Sequence, residues 1–389
     1  MRPEMSPAPI EPAAAENVQE ETRAALAAIR REIDEIDRQL IKLLNRRAAA
    51  SVEIARIKRN GDVSTFVPSR EQEVLQNVLE ANEGPLTEAH VRAIWAEILS
   101  ASRALQRPLR VAYLGPAGTF TQRAAEAAAK IRFGSFVEYL PARTIEEVFS
   151  TTERGNADYG VVPVENSTEG SVGQTLDLFI DSSLKICAEI FLRITQHLIG
   201  HGPLERVRRV YSKDQALAQC RRWLLANLPL AELVETPSTT AAAQRAAEEP
   251  DAAAIGTEQA AAQYGLRLLA RSIQDEAHNT TRFLLIGHHI SPPSGHDKTS
   301  ILFSVRDRVG ALHDVLGVFA RRNINLTRIE SRPSRRQPWE YVFFVDFAGH
   351  AEEPHAAAAL EELREACTMV KVLGAWPVEP RVEDQRPFA

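Results

Sequence analysis

Residues 26–58 read LAAIRREIDEIDRQLIKLLNRRAAASVEIARIK, and this stretch decides the fold of the first part of the chain. Its apolar residues recur every seven positions along two lines that begin at Leu26 and Ile29. A seven-residue apolar repeat is typical of a helix that packs against other helices. The pattern predicts one long helix from about Thr22 to Lys58. A helix of that length can bury its apolar stripe only against other helices, from this chain or from a second copy.

Two more helical patterns follow, at about Ser69–Asn82 and Thr87–Leu105. The turn sequences Asn60-Gly61 and Gly84-Pro85 separate the three helices, because Gly and Pro interrupt helical backbone. Residues 21–107 therefore predict an all-helical domain.

Arg47 is the one charged residue on the first of the two apolar lines, and a charge there requires a partner or a ligand. Lys58 shares its face about 16 Å further along, so the two side chains can converge on a small anion. Arg30 lies about 26 Å before Arg47, too far for one small molecule to touch both, so a shared site would take Arg30 from a second chain. The other interpretation is a helical dimer in which Arg47 makes a structural ion pair with Asp37 or Glu53 of a neighbour.

The pattern changes after Pro108. Short apolar runs, the first at Leu109–Leu114, alternate with helical patterns up to about residue 290. This alternation is typical of an α/β domain. We expect largely parallel sheets in two lobes over residues 108–289, with a site between the lobes.

A Pro-, Gly- and Ser-rich linker at residues 290–298 precedes a third domain at 299–378. Strand and helix patterns there follow the order βαββαβ, which predicts an α+β, ferredoxin-like fold. This fold is common and says little about function by itself. We expect residues 1–20 and 379–389 to be disordered tails.

The composition excludes several classes of protein. The 389 residues carry a net charge of −6, which argues against a nucleic-acid-binding protein that relies on global charge. The three cysteines lie far apart and without metal-ligand spacing, so we expect a reducing cytoplasm and no metal. The sequence shows neither a signal peptide nor an apolar run long enough to span a membrane, so we expect no membrane partner.

The helical domain resembles the chorismate mutase domain over essentially all of residues 21–107. The resemblance rests on the stretch quoted above, on SREQEVL at 69–75 and on ILSASRALQ at 98–106. One departure is Val67, where some members of the family have Asp. The residues implied to contact the substrate are Arg30, Arg47, Lys58, Arg70, Glu71, Ser102 and Gln106.

The resemblance also implies the roles of these residues. Arg30, supplied by a second protomer, and Arg47 would hold the two carboxylates of chorismate. The rearrangement to prephenate is pericyclic and needs no nucleophile, so the protein has only to hold the folded conformer and stabilise charge on the breaking ether oxygen. Lys58 and Gln106 would donate to that oxygen, and Glu71 would bind the ring hydroxyl.

Four polar clusters stand in the middle domain at expected strand ends or helix starts, where backbone N–H groups and hydroxyls can hold carboxylates. They are GPAGTFT at 115–121, VVPVENSTEGSV at 161–172, TPSTTAAA at 236–243 and HNTTRF at 278–283. Each alone also fits ordinary helix caps and turns. Together they resemble prephenate dehydratase across about residues 108–288.

This second resemblance implies that Thr281 is the key catalytic residue and that Arg282 supports a substrate carboxylate. The other residues implied to line the site are Thr119, Asn166, Ser167, Thr168, Ser212, Gln219, Ser238 and Thr239. Prephenate loses CO₂ and its ring hydroxyl in one aromatising elimination, for which a neutral hydroxyl donor to the leaving oxygen suffices. His278 lies nearby in sequence, and we expect it at the surface.

Cofactor-binding motifs are missing from the sequence. Gly115 and Gly118 lack the third glycine of a GxGxxG fingerprint, and there is no P-loop and no GxSxG motif. We therefore expect no cofactor. The missing fingerprint also argues against a fused prephenate dehydrogenase.

Two motifs of the third domain resemble the effector motifs of the ACT regulatory domain. They are Gly310, Ala311 and Leu312 at a helix start, and Glu330, Ser331, Arg332 and Pro333 at a strand end. The resemblance implies that phenylalanine binds there at a subunit interface and inhibits by favouring a less active conformation. An ordinary helix start and a strand-end salt bridge are the other interpretation.

The three resemblances together imply a cytoplasmic bifunctional enzyme, an isomerase and a lyase of phenylalanine biosynthesis, that is a homodimer or a larger homo-oligomer. A non-catalytic amino-acid sensor is one alternative, and the intact Arg47, Lys58, Thr281 and Arg282 count against it. A two-lobed solute-binding protein is another, and the missing signal peptide counts against that.

Overall fold

The computed structural model describes residues 12–60, 68–276, 278–334 and 340–378. Of residues 12–21, 58–60, 68–69 and 72 it describes the backbone alone. The chain divides into two compact units, with the boundary between Pro108 and Leu109.

The first unit is helical, as predicted. Its helices are α1 (Pro12–Asn60), α2 (Pro68–Glu80) and α3 (Glu88–Gln106). Helix α1 begins well before Thr22, so the expectation that all of residues 1–20 form a disordered tail is wrong from Pro12 onwards. The reason is local, because Pro12 suits the first helical position and the alanines that follow have the highest helix propensity.

Helix α3 packs against both α1 and α2, and its Val91 and the α1 residue Ala55 are buried. The apolar stripe of α1 is not buried by these contacts. Leu26, Ile33 and Leu40 each keep 50% of their surface exposed in the single chain. The helical unit therefore leaves apolar surface that a second helical unit can cover.

The second unit begins with a two-lobed α/β region. The elements of its first lobe are β1 (Leu109–Leu114), α4 (Phe120–Arg132), β2 (Val137–Ala142), α5 (Ile145–Glu153), β3 (Tyr159–Asn166), β4 (Gly170–Ser171), α6 (Gly173–Asp181) and β5 (Lys185–Arg193). The elements of the second lobe are β6 (His197–Gly200), a 3₁₀ turn (Leu204–Arg206), β7 (Arg209–Ser212), α7 (Asp214–Gln219), α8 (Arg221–Asn227), β8 (Glu232–Glu235), α9 (Thr239–Glu248), β9 (Ala252–Gly256), α10 (Glu258–Gln263) and β10 (Arg267–Ala270). Strand β11 (Thr280–Gly287) returns to the first lobe.

The sheets of the two lobes are mixed, which corrects the expectation of largely parallel sheets. Strand β1 runs parallel to β2 and β3, and β7 runs parallel to β8 and β9. Strand β11 is antiparallel to both β3 and β5, and β6 is antiparallel to β9 and β10. The chain crosses from one lobe to the other through β5 and β6 and comes back through β11, so the crossing strands cannot follow the helical crossovers that give parallel pairs.

The third region has the predicted βαββαβ order. Its elements are β12 (Asp297–Ser304), α11 (Ala311–Arg321), β13 (Leu326–Pro333), β14 (Tyr341–Ala348), α12 (Pro354–Ala366) and β15 (Met369–Pro377). The strands lie in the order β13-β14-β12-β15. Phe303, Phe319 and Phe347 are buried between this sheet and its two helices.

The first lobe and the third region share one continuous ten-stranded sheet, because β15 pairs in parallel with β5. The pairing brings Gly374 against Ile186, where a Cβ on Gly374 would lie 2.2 Å from the Ile186 carbonyl oxygen. Only glycine allows so close an approach of two backbones. Trp376 is fully buried in the core that the two regions share. The third region is therefore fixed to the first lobe along a strand edge.

Among the residues that the structure describes, no helix combines the length and apolarity that crossing a membrane requires. The same residues contain no cluster of His, Cys, Asp and Glu side chains with the arrangement of a metal site.

Candidate functional site

In the helical unit, Arg47 of α1 and Ser102 of α3 meet. The Arg47 guanidinium donates a hydrogen bond to the Ser102 hydroxyl, and that hydroxyl donates to the carbonyl of Ile98 at 2.8 Å. Ser102 is buried because α3 packs against α1. In the described part of the chain Arg47 has no carboxylate partner, so neither Asp37 nor Glu53 of its own chain neutralises it. The arrangement leaves cationic charge available for an anion.

Glu71 of α2 forms an ion pair with Arg103 of α3, and only 8% of the surface of Arg103 is exposed. Arg103 directly follows Ser102, and sequence reasoning missed it; the signal was an arginine within a helix that has one apolar face. Arg70 instead pairs with the exposed Glu73 at 2.7 Å.

Arg30 and Gln106, two other predicted residues whose side chains the structure describes, make no hydrogen bond or ion pair with this group. Arg30 is exposed on α1, and Gln106 is half-buried at the end of α3. The side chain of Lys58 and the whole of Val67 lie outside the described residues.

In the two-lobed region, Asn166 ends β3 and Thr281 lies directly opposite it on β11. The Asn166 amide nitrogen donates to the Thr281 hydroxyl at 2.8 Å and also to the Asn279 side-chain oxygen at 2.8 Å. The Asn166 side-chain oxygen accepts from the backbone N–H groups of Thr168 and Glu169 at 2.9 and 3.1 Å. These two backbone donors fix which end of the amide faces Thr281.

The segments on either side of this pair are also hydrogen-bonded to each other. The Ser167 hydroxyl donates to the His278 carbonyl at 3.2 Å and accepts from the Thr280 N–H at 3.0 Å. The His278 side chain is exposed, as expected. Asn279 is buried and was missed, although it lies within the HNTTRF motif. The two motifs therefore form one polar group at the ends of β3 and β11.

Glu169 reaches across to the second lobe, where its carboxylate accepts from Gln219 at 2.7 Å and from Gln215. A cavity of about 850 Å³ lies at this junction and includes Thr168, Glu169, Gln219 and Asn279 in its wall. Gln219 and Thr168 were predicted to line the site. Glu169 was missed because its role depends on contact between lobes.

The loop at 115–119 approaches the second lobe at another point. The Thr240 hydroxyl donates to the Ala117 carbonyl at 3.0 Å, and the Thr257 hydroxyl donates to the Gly118 carbonyl at 3.0 Å. Thr119 is the N-cap of α4, and Ser238 is the N-cap of α9, whose first residue is Thr239. The structure thus brings predicted residues of both lobes to the carboxyl ends of the parallel strands, where α/β folds bind ligands.

Two predicted residues, Ser212 and Arg282, do not join the polar group at the ends of β3 and β11. The Ser212 hydroxyl is fully buried and donates to the Ile255 carbonyl at 3.0 Å, so it serves the packing of β7 against β9. Arg282 follows Thr281 on β11, and successive side chains of a strand point to opposite faces. Its guanidinium binds Glu189 at 2.8 Å and Asp346 at 2.7 Å on the reverse face of the sheet. Carboxylates of the chain itself therefore occupy Arg282.

Neighbouring charges explain the pKa shifts of the buried pair Arg282 and Asp346. Burial alone would lower the pKa of Arg282, but the carboxylates of Asp346, Glu189 and Glu165 raise it above its ordinary value. Burial alone would raise the pKa of Asp346, but Arg282 and Arg328 hold it below its ordinary value. Both groups are therefore charged at neutral pH.

In the third region, Gly310 caps α11 in the left-handed conformation, at φ +80°, directly before Ala311 and Leu312. Side chains along β13 alternate. Glu330 and Arg332 point to the first lobe, where Arg332 binds Asp177 at 2.7 Å and Glu330 accepts from the Ser171 hydroxyl at 2.6 Å. Their neighbours Ser331 and Pro333 are exposed on the other face.

Comparison with known proteins assigns each region to a family. The chorismate mutase type II model matches residues 29–107, the prephenate dehydratase model matches 111–291 and the ACT domain model matches 299–365. A helical catalytic domain, a two-lobed catalytic domain and a regulatory domain in this order define a multidomain enzyme with two activities.

Two relatives extend the similarity over nearly the whole chain. The bifunctional chorismate mutase/prephenate dehydratase of Aquifex aeolicus is 46% identical over 90% of this chain and 98% of its own. The enzyme of that name from Pseudomonas aeruginosa is 45% identical over 90% of this chain and 97% of its own. The crystal structure of prephenate dehydratase from Arthrobacter aurescens in complex with L-Phe is 33% identical, with a TM-score of 0.64, over 72% of this chain and 92% of that one. The chain belongs to the family of bifunctional chorismate mutase/prephenate dehydratases.

Proposed function

We propose that the two polar groups described above are the two catalytic sites and that they act in succession. The helical unit converts chorismate to prephenate, the two-lobed region converts prephenate to phenylpyruvate, and phenylalanine inhibits from the ACT domain. The hydrogen bond between Asn166 and Thr281 is the observation that carries the second assignment. It orients a neutral hydroxyl next to Thr168 and Asn279, which line the cavity between the two lobes.

In the mutase site, Arg47 and Ser102 bind a carboxylate of chorismate, and Glu71, held by Arg103, faces the ring hydroxyl. Lys58 and Gln106 donate to the ether oxygen as its bond to carbon breaks. Catalysis then comes from holding the reactive conformer and from placing donors where negative charge develops, and no proton is transferred.

The mutase site is complete only in a homodimer. Arg30 lies about 26 Å from Arg47 along a straight helix, so Arg30 of a second copy reaches the substrate. The exposed apolar stripe of α1, with Leu26, Ile33 and Leu40, is the surface on which the second copy packs. We propose a dimer at least, with larger assemblies built on it.

In the dehydratase site, the hydroxyl of Thr281 donates to the ring hydroxyl of prephenate as it leaves. The carboxylate carbon departs as CO₂, the electron pair of its C–C bond enters the ring, and the C–O bond breaks. The departing hydroxide, hydrogen-bonded to Thr281, takes up a proton from solvent and leaves as water. Aromatisation of the ring supplies most of the driving force, so a neutral donor is sufficient. Ser167, Thr168, Gln219 and the helix starts at Thr119, Ser238 and Thr239 hold the two carboxylates.

The ACT domain takes phenylalanine as its ligand, through the helix start at Gly310–Leu312 and the exposed face of β13 at Ser331 and Pro333. The L-Phe complex of the Arthrobacter relative supports this choice of ligand. The three cysteines are free thiols, and we propose that the enzyme works in the cytoplasm, without a cofactor.

The test is to incubate the purified full chain with chorismate and to follow prephenate and phenylpyruvate separately, with and without phenylalanine. Successive appearance of the two products, with phenylpyruvate suppressed by phenylalanine, supports the whole proposal. Prephenate alone removes the dehydratase assignment. Phenylalanine binding in the absence of both products favours a non-catalytic sensor.

A further inference from the structure

Strands β3 and β11 carry two pairs of opposed residues, one pair on each face of the sheet. Asn166 stands opposite Thr281, and the preceding residue Glu165 stands opposite Arg282. Residues directly opposite in an antiparallel pair share a face, and their sequence neighbours share the other face. The Asn166–Thr281 pair therefore lies on the face where Asn166 contacts the cavity residue Asn279, and the Glu165–Arg282 pair lies on the reverse face.

The reverse face is bound by the ACT domain through charged groups. Arg282 donates to Asp346 of β14 at 2.7 Å, and Arg328 of β13 donates towards Glu165 at 3.2 Å. Arg282 and Asp346 are 8% and 3% exposed in their side chains. Each catalytic residue thus has a strand neighbour whose charge is paired with the ACT domain.

A second connection begins on the same strand of the ACT domain. Glu330 of β13 accepts from the Ser171 hydroxyl at 2.6 Å, and Arg328 donates to that hydroxyl at 2.9 Å. Ser171 stands opposite Glu165 in the short β3–β4 ladder, so residues 167–170, which include two predicted site residues, are held between them. Strand β13, which carries the effector motif, therefore contacts Glu165 and Ser171, on either side of the loop at residues 167–170.

We propose that Arg282 and Glu165 are positioning residues, which transmit the state of the ACT domain to Asn166 and Thr281 through the thickness of the sheet. The proposal rests on the assignment of Thr281 and Asn166 to the dehydratase site. When phenylalanine binds to the exposed face of β13, a shift of that strand changes the partners of Arg328 and Asp346. The two catalytic strands then lose their relative register, and the Asn166–Thr281 hydrogen bond lengthens.

Two features favour coupling over simple attachment of the domains. Buried charge clusters are costly to desolvate and add little net stability, whereas apolar contacts, such as those of Trp376, hold domains together without that cost. A cavity of about 1230 Å³ also opens beside the cluster, and Glu165, Arg282, Arg328 and Asp346 are among the residues that line it. The side chains therefore have room to exchange partners between two arrangements.

The test is Asp346→Asn in the full-length enzyme, which keeps the shape of the side chain and removes its charge. We expect the dehydratase kcat to fall by about tenfold or more, with mutase turnover unchanged. Phenylalanine should still bind with wild-type affinity by calorimetry, while the concentration that half-inhibits phenylpyruvate formation rises by about tenfold relative to that affinity, because binding and inhibition are uncoupled.

Lys371→Gln is the matched control. Lys371 also joins the ACT domain to the first lobe, but its ammonium donates to the carbonyls of Phe179, Ile180 and Ser182 at the end of α6. The Lys371→Gln enzyme should keep the wild-type dehydratase kcat. It should also keep the wild-type ratio of the half-inhibiting phenylalanine concentration to the phenylalanine dissociation constant. Equal losses in both variants, or none in Asp346→Asn, would overturn the proposal.

If circular dichroism shows that Asp346→Asn does not fold, Arg328→Gln replaces it. Arg328 is less deeply buried, and the same kinetic and binding measurements apply to it. Failure of the coupling is distinct from failure of the site assignment. A Thr281→Ala enzyme with normal dehydratase turnover removes the site, whereas an Asp346→Asn enzyme with normal turnover and normal inhibition removes the coupling alone.

Discussion

The amide nitrogen of Asn166 donates a hydrogen bond of 2.8 Å to the hydroxyl oxygen of Thr281. Since the amide oxygen of Asn166 is held by two backbone N–H groups, the amide cannot turn without losing both bonds. The Thr281 oxygen therefore acts as an acceptor towards Asn166, which leaves its own proton available for donation to a ligand. A threonine so oriented can donate a hydrogen bond while it stays neutral.

Replacing Thr281 with Ala should abolish phenylpyruvate formation, because the leaving hydroxyl loses its donor. Thr281→Ser keeps a hydroxyl and should retain measurable turnover. Mutase activity, which belongs to the other compact unit, should stay within a few-fold of wild type in both variants. The measurements are the rate of prephenate formation from chorismate and the rate of phenylpyruvate formation from prephenate. Loss of both activities in Thr281→Ala would contradict the assignment of each activity to its own domain.

Asn166→Asp should reduce the dehydratase kcat by about a hundredfold, the usual effect of removing one donor from a catalytic group. A carboxylate at this position has no proton to donate to Thr281 and would repel the substrate carboxylates. Steady-state kinetics with prephenate give kcat and KM separately. A variant with wild-type kcat would show that the Asn166–Thr281 bond has no part in turnover.

Arg30→Ala and Arg47→Ala should each lose mutase activity, but a mixture of the two variants, refolded together, should regain about a quarter of it. Half of the mixed population is then heterodimer, and one of its two sites has both arginines intact. Arg38→Ala, which removes an exposed arginine of the same helix paired with Glu35, should keep full activity. If the mixture stays inactive, Arg30 is not supplied by a second copy.

Gly310→Val should weaken phenylalanine binding, measured by calorimetry. Gly310 has φ +80° and open space where a Cβ would lie, so the effect of valine is backbone strain at the helix start. Gly265→Val is the control, because Gly265 has φ +67° and open space but lies in the second lobe of the dehydratase domain. Equal binding by wild type and Gly310→Val would remove the helix start from the effector site.

The Asp346–Arg282 pair should make the stability of the second unit depend on pH in acid. The pKa of Asp346 is lowered in the folded protein, so its stabilising contribution is complete above the unfolded value, about 3.9, and is lost as the pH falls through the folded value. Thermal unfolding of wild type and Asp346→Asn should differ by a constant amount between about pH 5 and pH 8, and the difference should shrink below about pH 4. A difference that persists in strong acid would show that charge is not its cause.

The sequence predicted the elements well where a local period decides them. Strand Leu109–Leu114 has the predicted bounds and a helix starts at Ala311 as predicted, because a period of two or of about 3.6 is a property of neighbouring residues. The mixed strand directions were missed, since they depend on how the chain crosses between lobes. Alternation along β11 also shows that Thr281 and Arg282 cannot both face the cleft, a constraint that sequence reasoning had available but did not apply.

The sequence by itself determined the three domains, the polar motifs and the chemistry that they imply, because these depend on residue types and short spacings. The tertiary structure alone decided that Asn166 donates to Thr281, that Ser212 is buried, and that Arg282 pairs with Asp346 of the ACT domain. Such roles depend on which strands become neighbours and on which face each side chain occupies. Contacts between residues 43 to 115 positions apart in the chain have no local period, so only the folded chain reveals them.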